Sequence, residues 1–88
     1  MRIEQVEIFS DRTNAAIVRH PDRVFPGFLI QGDTLSILCK QADLICEQIG
    51  RNSKGFEEAN DLRNTLQAYL IHYKITLSEH GLKLPFSD

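Results

Sequence analysis

The sequence predicts an α+β fold in which an N-terminal three-stranded antiparallel β-meander packs on a C-terminal two-helix antiparallel hairpin. Short runs rich in strand-forming residues, separated by turn formers, occupy the first third of the chain. Two long stretches with apolar residues at helical spacing occupy the rest. With 88 residues, 42% hydrophobic and 25% charged, the composition is that of one globular domain. We therefore predict a single domain over residues 1–88, divided into a meander (1–32), a helical hairpin (33–81) and a tail (82–88).

Three extended segments are expected before the first helix. The first is Ile3–Phe9, although Ile3 and Phe9 interrupt its alternation, and a polar loop separates it from the second, Ala15–Val18. A turn over Pro21–Arg23 leads to the third, which begins at Val24–Phe25. The next residues, Pro26 and Gly27, suit either a type II turn with Gly27 at positive φ or a kink at an edge strand, before the short apolar strand Phe28–Ile30.

The first helix is expected to begin at Thr34, with Asp33 as its N-cap, and to stop at Gly50. Seven apolar residues share one helical face and are expected to be buried. They are Leu35, Leu38, Cys39, Ala42, Ile45, Cys46 and Ile49.

The second helix is expected from Phe56 to a Schellman-type stop at Gly81, with Leu82 supplying its apolar contact. Residues 69–77 also alternate at period two, so a strand stays open there, but the lack of a turn signal favours a helix. The tail segment Leu84–Phe86 is expected to pack back on the domain. The apolar stripe of this helix consists of Phe56, Ala59, Leu62, Leu66, Tyr69, Leu70, Tyr73 and Leu77.

Charge and cysteine content limit the possible functions. The net charge of −2 gives no basic field for nucleic acid or an anionic membrane, and no apolar run reaches the roughly 18 residues of a membrane span. Because no secretion signal is evident, a cytoplasmic protein is expected. The two cysteines, Cys39 and Cys46, are about 10.5 Å apart along a helix, beyond disulfide reach, and are expected to be reduced core residues.

No catalytic residue, metal ligand or cofactor site is nominated. The alternative of Cys46 as a nucleophile requires a basic, partly exposed setting, which its apolar helix face does not offer. The three histidines, His20, His72 and His80, lack the spacing of a zinc site. A non-enzyme is therefore favoured over an enzyme.

A polar patch around the strand-to-helix connection is the candidate binding site. If the meander packs one face on the helices, six polar residues remain on loops, on the outer sheet face and at the helix start. The alternative is scaffold, in which Asp33 caps the helix and the arginines are solvated. The six are Arg12, Asn14, Arg19, Arg23, Gln31 and Asp33.

Apolar residues outside the helix stripes predict a homodimer. A domain of this size cannot bury every apolar face within itself. We expect an isologous contact on helix faces, with Ile71, Tyr73 and Ile75 near its centre, while Ile37 and Leu44 are also left off the first stripe.

Two strings, NAAIVR at Asn14–Arg19 and FPGFLIQGDTL at Phe25–Leu35, resemble a family of small uncharacterised bacterial proteins, a domain of unknown function. In that family an FPG-x-LIQGD-S/T-L motif follows a strand similar to NAAVVR. The resemblance covers roughly Glu4 to Gln48. It implies a bacterial α+β domain and brings no activity, cofactor or catalytic residue.

Two functions of different class remain. The favoured one is a non-enzymatic protein-interaction module that self-associates and neutralises or scaffolds a protein partner, as immunity proteins do. The alternative is a small-molecule or nucleotide-binding protein that uses the Gln31-Gly32-Asp33 helix start.

Overall fold

The structure, a computed structural model, describes residues 1–87 and confirms the α+β class. Three strands, β1 (Glu7–Ser10), β2 (Ala16–Arg19) and β3 (Gly27–Leu29), form an antiparallel sheet in the order β1-β2-β3. Two helices follow, α1 (Gly32–Ile49) and α2 (Phe56–Glu79). The chain divides into two compact units, which we call the meander unit (residues 1–31) and the hairpin unit (from residue 32 onwards).

A β-bulge at Phe9 explains the irregular alternation of the first strand. Ile8 pairs with Val18, whereas Ser10 pairs with Ile17, so one residue of β1 has no partner of its own. Because a bulge shifts the parity of the residues that follow it, the alternation of β1 cannot continue through Phe9.

Two strand boundaries differ from the prediction. The first strand begins at Glu7 rather than Ile3, and the third begins at Gly27 rather than at Val24–Phe25. The expected type II turn is wrong, because Gly27 does not have a positive φ. Gly27 instead pairs with Val18 at the start of the edge strand β3, which agrees with the other predicted role, a kink at an edge strand.

The turn before β3 is built as its sequence suggests. The Arg23 N–H donates to the His20 carbonyl oxygen at 3.0 Å, with Pro21 in the position where its fixed φ is favourable. The Asp22 N–H donates to His20 Nδ1 at 3.1 Å.

The first helix begins two residues earlier than predicted. Helix α1 starts at Gly32, so Asp33 lies in the first turn rather than at the N-cap. Its carboxylate accepts a hydrogen bond from the Thr34 N–H at 2.9 Å and still places negative charge at the positive end of the helix dipole. The predicted stop is confirmed, because Gly50 has φ 79 and its N–H donates to the Cys46 carbonyl at 3.2 Å.

The second helix is continuous through residues 69–77, which excludes the strand alternative there. The backbone of its predicted Schellman stop is confirmed, whereas Leu82, which is predicted to supply the apolar contact, is 61% exposed. Gly81 has φ 67, its N–H donates to the Ser78 carbonyl at 3.2 Å, and the Leu82 N–H donates to the Leu77 carbonyl at 2.9 Å.

Every buried side chain among residues 1–87 belongs to the hairpin unit. Leu35 and Cys39 of α1 pack with Leu70 of α2, and Leu66 and Phe86 pack against this cluster. The helices run antiparallel, with a short connection of polar residues between Gly50 and Gly55.

Both predicted apolar stripes are too wide. On α1 the residues Leu38 and Ile45 are exposed, while the polar Ser36 is buried. On α2 the residues Leu62 and Tyr69 are exposed. In this unit each helix packs against the other helix and the C-terminal tail, which cover a strip narrower than the apolar one.

The C-terminal tail packs back on the hairpin, as predicted for Leu84–Phe86. The Phe86 ring stacks on Tyr73 with the ring centroids 6.4 Å apart. Residue 88 of the predicted tail lies outside the described residues. No helix in the described part of the chain is long and apolar enough to cross a membrane.

Candidate functional site

The structure separates the residues of the predicted polar patch. Arg12 and Asn14 lie in the β1–β2 loop, whereas Arg23 lies in the β2–β3 connection. These two connections are at opposite ends of an antiparallel meander. Gln31 follows β3 and is therefore at the end of the sheet that carries Arg12 and Asn14. The arginines of this patch do not form one site.

Arg19 is engaged by its own sheet. Its Nη2 and Nε atoms lie 2.6 Å and 2.8 Å from Glu7 Oε1, on the residue paired with it across β1 and β2. Its guanidinium also lies 5.6 Å from the centre of the Phe9 ring. A partly exposed ion pair of this kind contributes about 0–1 kcal/mol to stability. These contacts support the scaffold alternative for Arg19.

The Tyr73 side chain of α2 lies against the helix start at Gly32. A Cβ atom on Gly32 would overlap the ring of Tyr73 from α2. The close approach of the Tyr73 ring therefore favours glycine here, with Asp33 beside it bonded to the helix backbone. A ligand is not needed to explain this glycine, which weakens the case for small-molecule binding at Gln31-Gly32-Asp33.

A shallow apolar hollow of about 420 Å³ lies on the meander unit. Phe25 and Phe28, both strongly exposed, form much of it, and His20 and Arg23 are its charged or titratable groups. The residues that line the hollow offer apolar contact surface and include no carboxylate that could act with His20 as an acid–base pair. Across residues 1–87, no cluster of three His, Cys, Asp or Glu side chains is arranged to hold a metal ion.

The two cysteines are buried free thiols, as predicted. Cys39 is 1% exposed and Cys46 is 3% exposed. Burial raises the pKa of the Cys39 thiol, the nearby Asp43 carboxylate raises it further, and Lys74 lowers it. A buried thiol with a raised pKa is held neutral and is a poor nucleophile.

Helix α1 carries a second apolar surface, which we call the α1 outer face and define by Ile37, Leu38, Gln41, Leu44, Ile45 and Gln48. Its four aliphatic side chains are 37% to 56% exposed, and both glutamines are exposed. The surface contains no charged residue. Helical spacing places the charged residues of α1 outside this face, with Lys40 at its edge, one turn from both Ile37 and Leu44.

The sequence analysis missed half of this surface, because it assigned Leu38 and Ile45 to the buried stripe. These residues are each one position after Ile37 and Leu44, which were noted as off the stripe. The signal in the sequence is a pair of adjacent apolar residues, Ile37-Leu38, that recurs seven positions later as Leu44-Ile45. Such a repeat indicates a second apolar face on the helix.

The predicted dimer residues on α2 do not share one surface. Ile71 and Ile75 are one turn apart and about half exposed. Tyr73 lies between them in sequence but on the opposite side of the helix, where it is half-buried against Phe86. Tyr73 therefore contributes to the fold of the hairpin unit, and Ile71 and Ile75 remain available for contact.

Together these features define a small α+β protein with apolar helix faces that its own hairpin does not cover. The chain belongs to the family of unknown function DUF6959, which matches residues 1–86. The match includes α2 and most of the tail, beyond the segment that carried the resemblance in sequence. No curated protein and no solved structure matches the chain.

Proposed function

We propose that this chain is a non-enzymatic protein-interaction module that self-associates through its helices to form a homodimer. The observation that supports this proposal is the number of large apolar side chains that remain exposed on both helices. Contiguous exposed apolar surface on a small protein is typical of protein–protein contact. Two helix faces are candidates for the contact, the α1 outer face and the Ile71–Ile75 face of α2.

The meander unit supports a protein contact of its own. None of residues 1–31 is buried. Its strand pairing places Ile8 and Leu29 on one side of the sheet and Phe28 on the other, and all three are exposed. A three-stranded sheet gains stability by burying an apolar face against another element. The proposal therefore includes a protein partner for this unit, which the module neutralises or scaffolds.

The proposed setting is the bacterial cytoplasm. The sequence resemblance is to bacterial proteins, and Cys39 and Cys46 are both free thiols. Reducing compartments maintain cysteines in this state.

Sedimentation equilibrium of the unmodified chain tests the proposal. The chain mass is 10.1 kDa, and we expect twice this mass at tens of micromolar, with dissociation on dilution. The expected concentration dependence follows from mass action for a two-chain complex. A mass of one chain throughout this range would contradict self-association.

A further inference from the structure

We infer that the α1 outer face binds the same face of a second copy of this chain, antiparallel, with a two-fold axis passing beside Gln41. This inference rests on the proposed self-association and specifies its geometry. An isologous contact requires a surface that is complementary to itself after a two-fold rotation. The α1 outer face meets this requirement in its residue spacing.

The face is palindromic about Gln41. Ile37 and Leu38 lie four and three residues before it, and Leu44 and Ile45 lie three and four residues after it. The two-fold axis of such a contact sets each flank of the face against the same flank of the second copy. In an antiparallel contact centred on Gln41, Ile37 therefore lies across from Leu44 of the second copy, and Leu38 lies across from Ile45. Every aliphatic residue of the face therefore meets another aliphatic residue.

Glutamine suits the position on the axis. Its side chain carries both a donor amide and an acceptor oxygen, so two copies of Gln41 can hydrogen-bond to each other reciprocally. Gln48 is level with Thr34 of the second copy, which pairs a polar residue with a polar residue. No charged residue lies on the face, so no like charges are brought together at its centre.

The position of the axis also suits the length of the helix. Helix α1 has 18 residues, which corresponds to about 27 Å, and Gln41 lies at its middle. An antiparallel contact centred there uses the whole helix in both copies.

Two residues of α2 enlarge the apolar surface beside the α1 outer face. A stable interface buries roughly 800 Å² of surface per partner, so this additional area favours a stable contact. Asp43 and Gln67 are hydrogen-bonded at 3.4 Å on one side of the hairpin. Helical spacing places Leu38 and Ile45 of α1 on the other side, together with Leu62 and Tyr69 of α2. Leu62 and Tyr69 are 57% and 59% exposed, so they add uncovered apolar area beside the α1 outer face.

A charge-exchange experiment tests the pairing of Leu38 with Ile45. The single variants Leu38→Glu and Ile45→Lys each place one charge against an apolar residue, and we expect both to sediment as monomers. In the double variant the carboxylate introduced at position 38 would face the ammonium group introduced at position 45 of the second copy. The dimer is therefore expected to return at low salt and to weaken at high salt. Circular dichroism checks that each variant remains helical. A double variant that is no more dimeric than the single variants would overturn the antiparallel pairing.

Disulfide trapping provides a test that leaves the apolar residues intact. Under mild oxidation, Gln41→Cys is expected to form a covalent dimer, because the two copies of residue 41 meet at the axis. Gln48→Cys is the matched control on the same face. Its two copies would be fourteen residues apart along the helices, about 21 Å, which is beyond disulfide reach. Equal cross-linking at both positions would indicate a parallel contact. Cross-linking at neither position would show that the two-fold axis does not pass beside Gln41. Either result would overturn the inference.

The double variant Ile71→Glu/Ile75→Glu separates failure of this inference from failure of the proposed function. We expect this α2 variant to dimerise like the unmodified chain. If it becomes monomeric while Leu38→Glu and Ile45→Lys stay dimeric, the contact is on α2, and the inference fails although self-association stands. If the unmodified chain is itself monomeric, both fail.

Discussion

Replacing Leu70 with Ala is expected to cost about 2–5 kcal/mol of the free energy of unfolding. Leu70 is 7% exposed and is the buried residue that α2 contributes to the cluster with Leu35 and Cys39. Removing its side chain takes away apolar burial and leaves a cavity between the two helices. Because small domains have only several kcal/mol of stability in total, a large part of this variant is expected to be unfolded without denaturant.

Urea unfolding followed by circular dichroism measures this loss. The matched control is Leu62→Ala, the same substitution on the same helix at a side chain that is 57% exposed. At protein concentrations below dimer formation, we expect the control to change stability by less than about 0.5 kcal/mol. Similar losses for both variants would show that the packing between the helices is not as described.

Replacing Gly32 with Ala is expected to destabilise the hairpin unit by about 1–3 kcal/mol, although alanine is ordinarily a better helix former. The new Cβ would overlap the Tyr73 ring, so this ring must move and lose its stacking on Phe86. Gly27→Ala is the control, because a Cβ there meets no atom within 4 Å and Gly27 does not have a positive φ.

A double-mutant cycle identifies the cause of this loss. In a Tyr73→Ala background the overlap is absent, so the cost of Gly32→Ala is expected to fall close to zero. A cost that stays the same in both backgrounds, measured by urea unfolding, would mean that Tyr73 does not approach the helix start.

The ends of the elements were predictable where a single residue controls the backbone. Gly50 and Gly81 adopt the positive φ that a helix stop requires, and the hydrogen bonds of the Schellman motif follow from this at Leu82. Helix α2 was also predictable through residues 69–77, since no turn former interrupts it. These are local properties of the chain, which sequence patterns report directly.

The features that depended on tertiary contact were not predictable. The helix starts at Gly32 rather than Thr34, next to a close approach by Tyr73, which is distant in sequence. The apolar spacing of Leu38 and Ile45 fits either a buried stripe or an exposed surface, and only the position of the neighbouring helix decides between them.

The polar patch was predictable as a set of residues but not as an arrangement. The ion pair of Arg19 with Glu7 depends on the register of β1 against β2, which the bulge at Phe9 alters. The positions of Arg12 and Arg23 at opposite ends of the sheet follow once the strands are known to form a meander.

An isotope-filtered NOE experiment on a mixture of labelled and unlabelled chains detects only contacts between copies. It tests whether the α1 outer face is covered by the same face of a second copy. We predict intermolecular contacts between the methyl groups of Leu38 and Ile45, and between those of Ile37 and Leu44. Intermolecular contacts confined to other residues, or none at concentrations where a dimer should predominate, would contradict the claim.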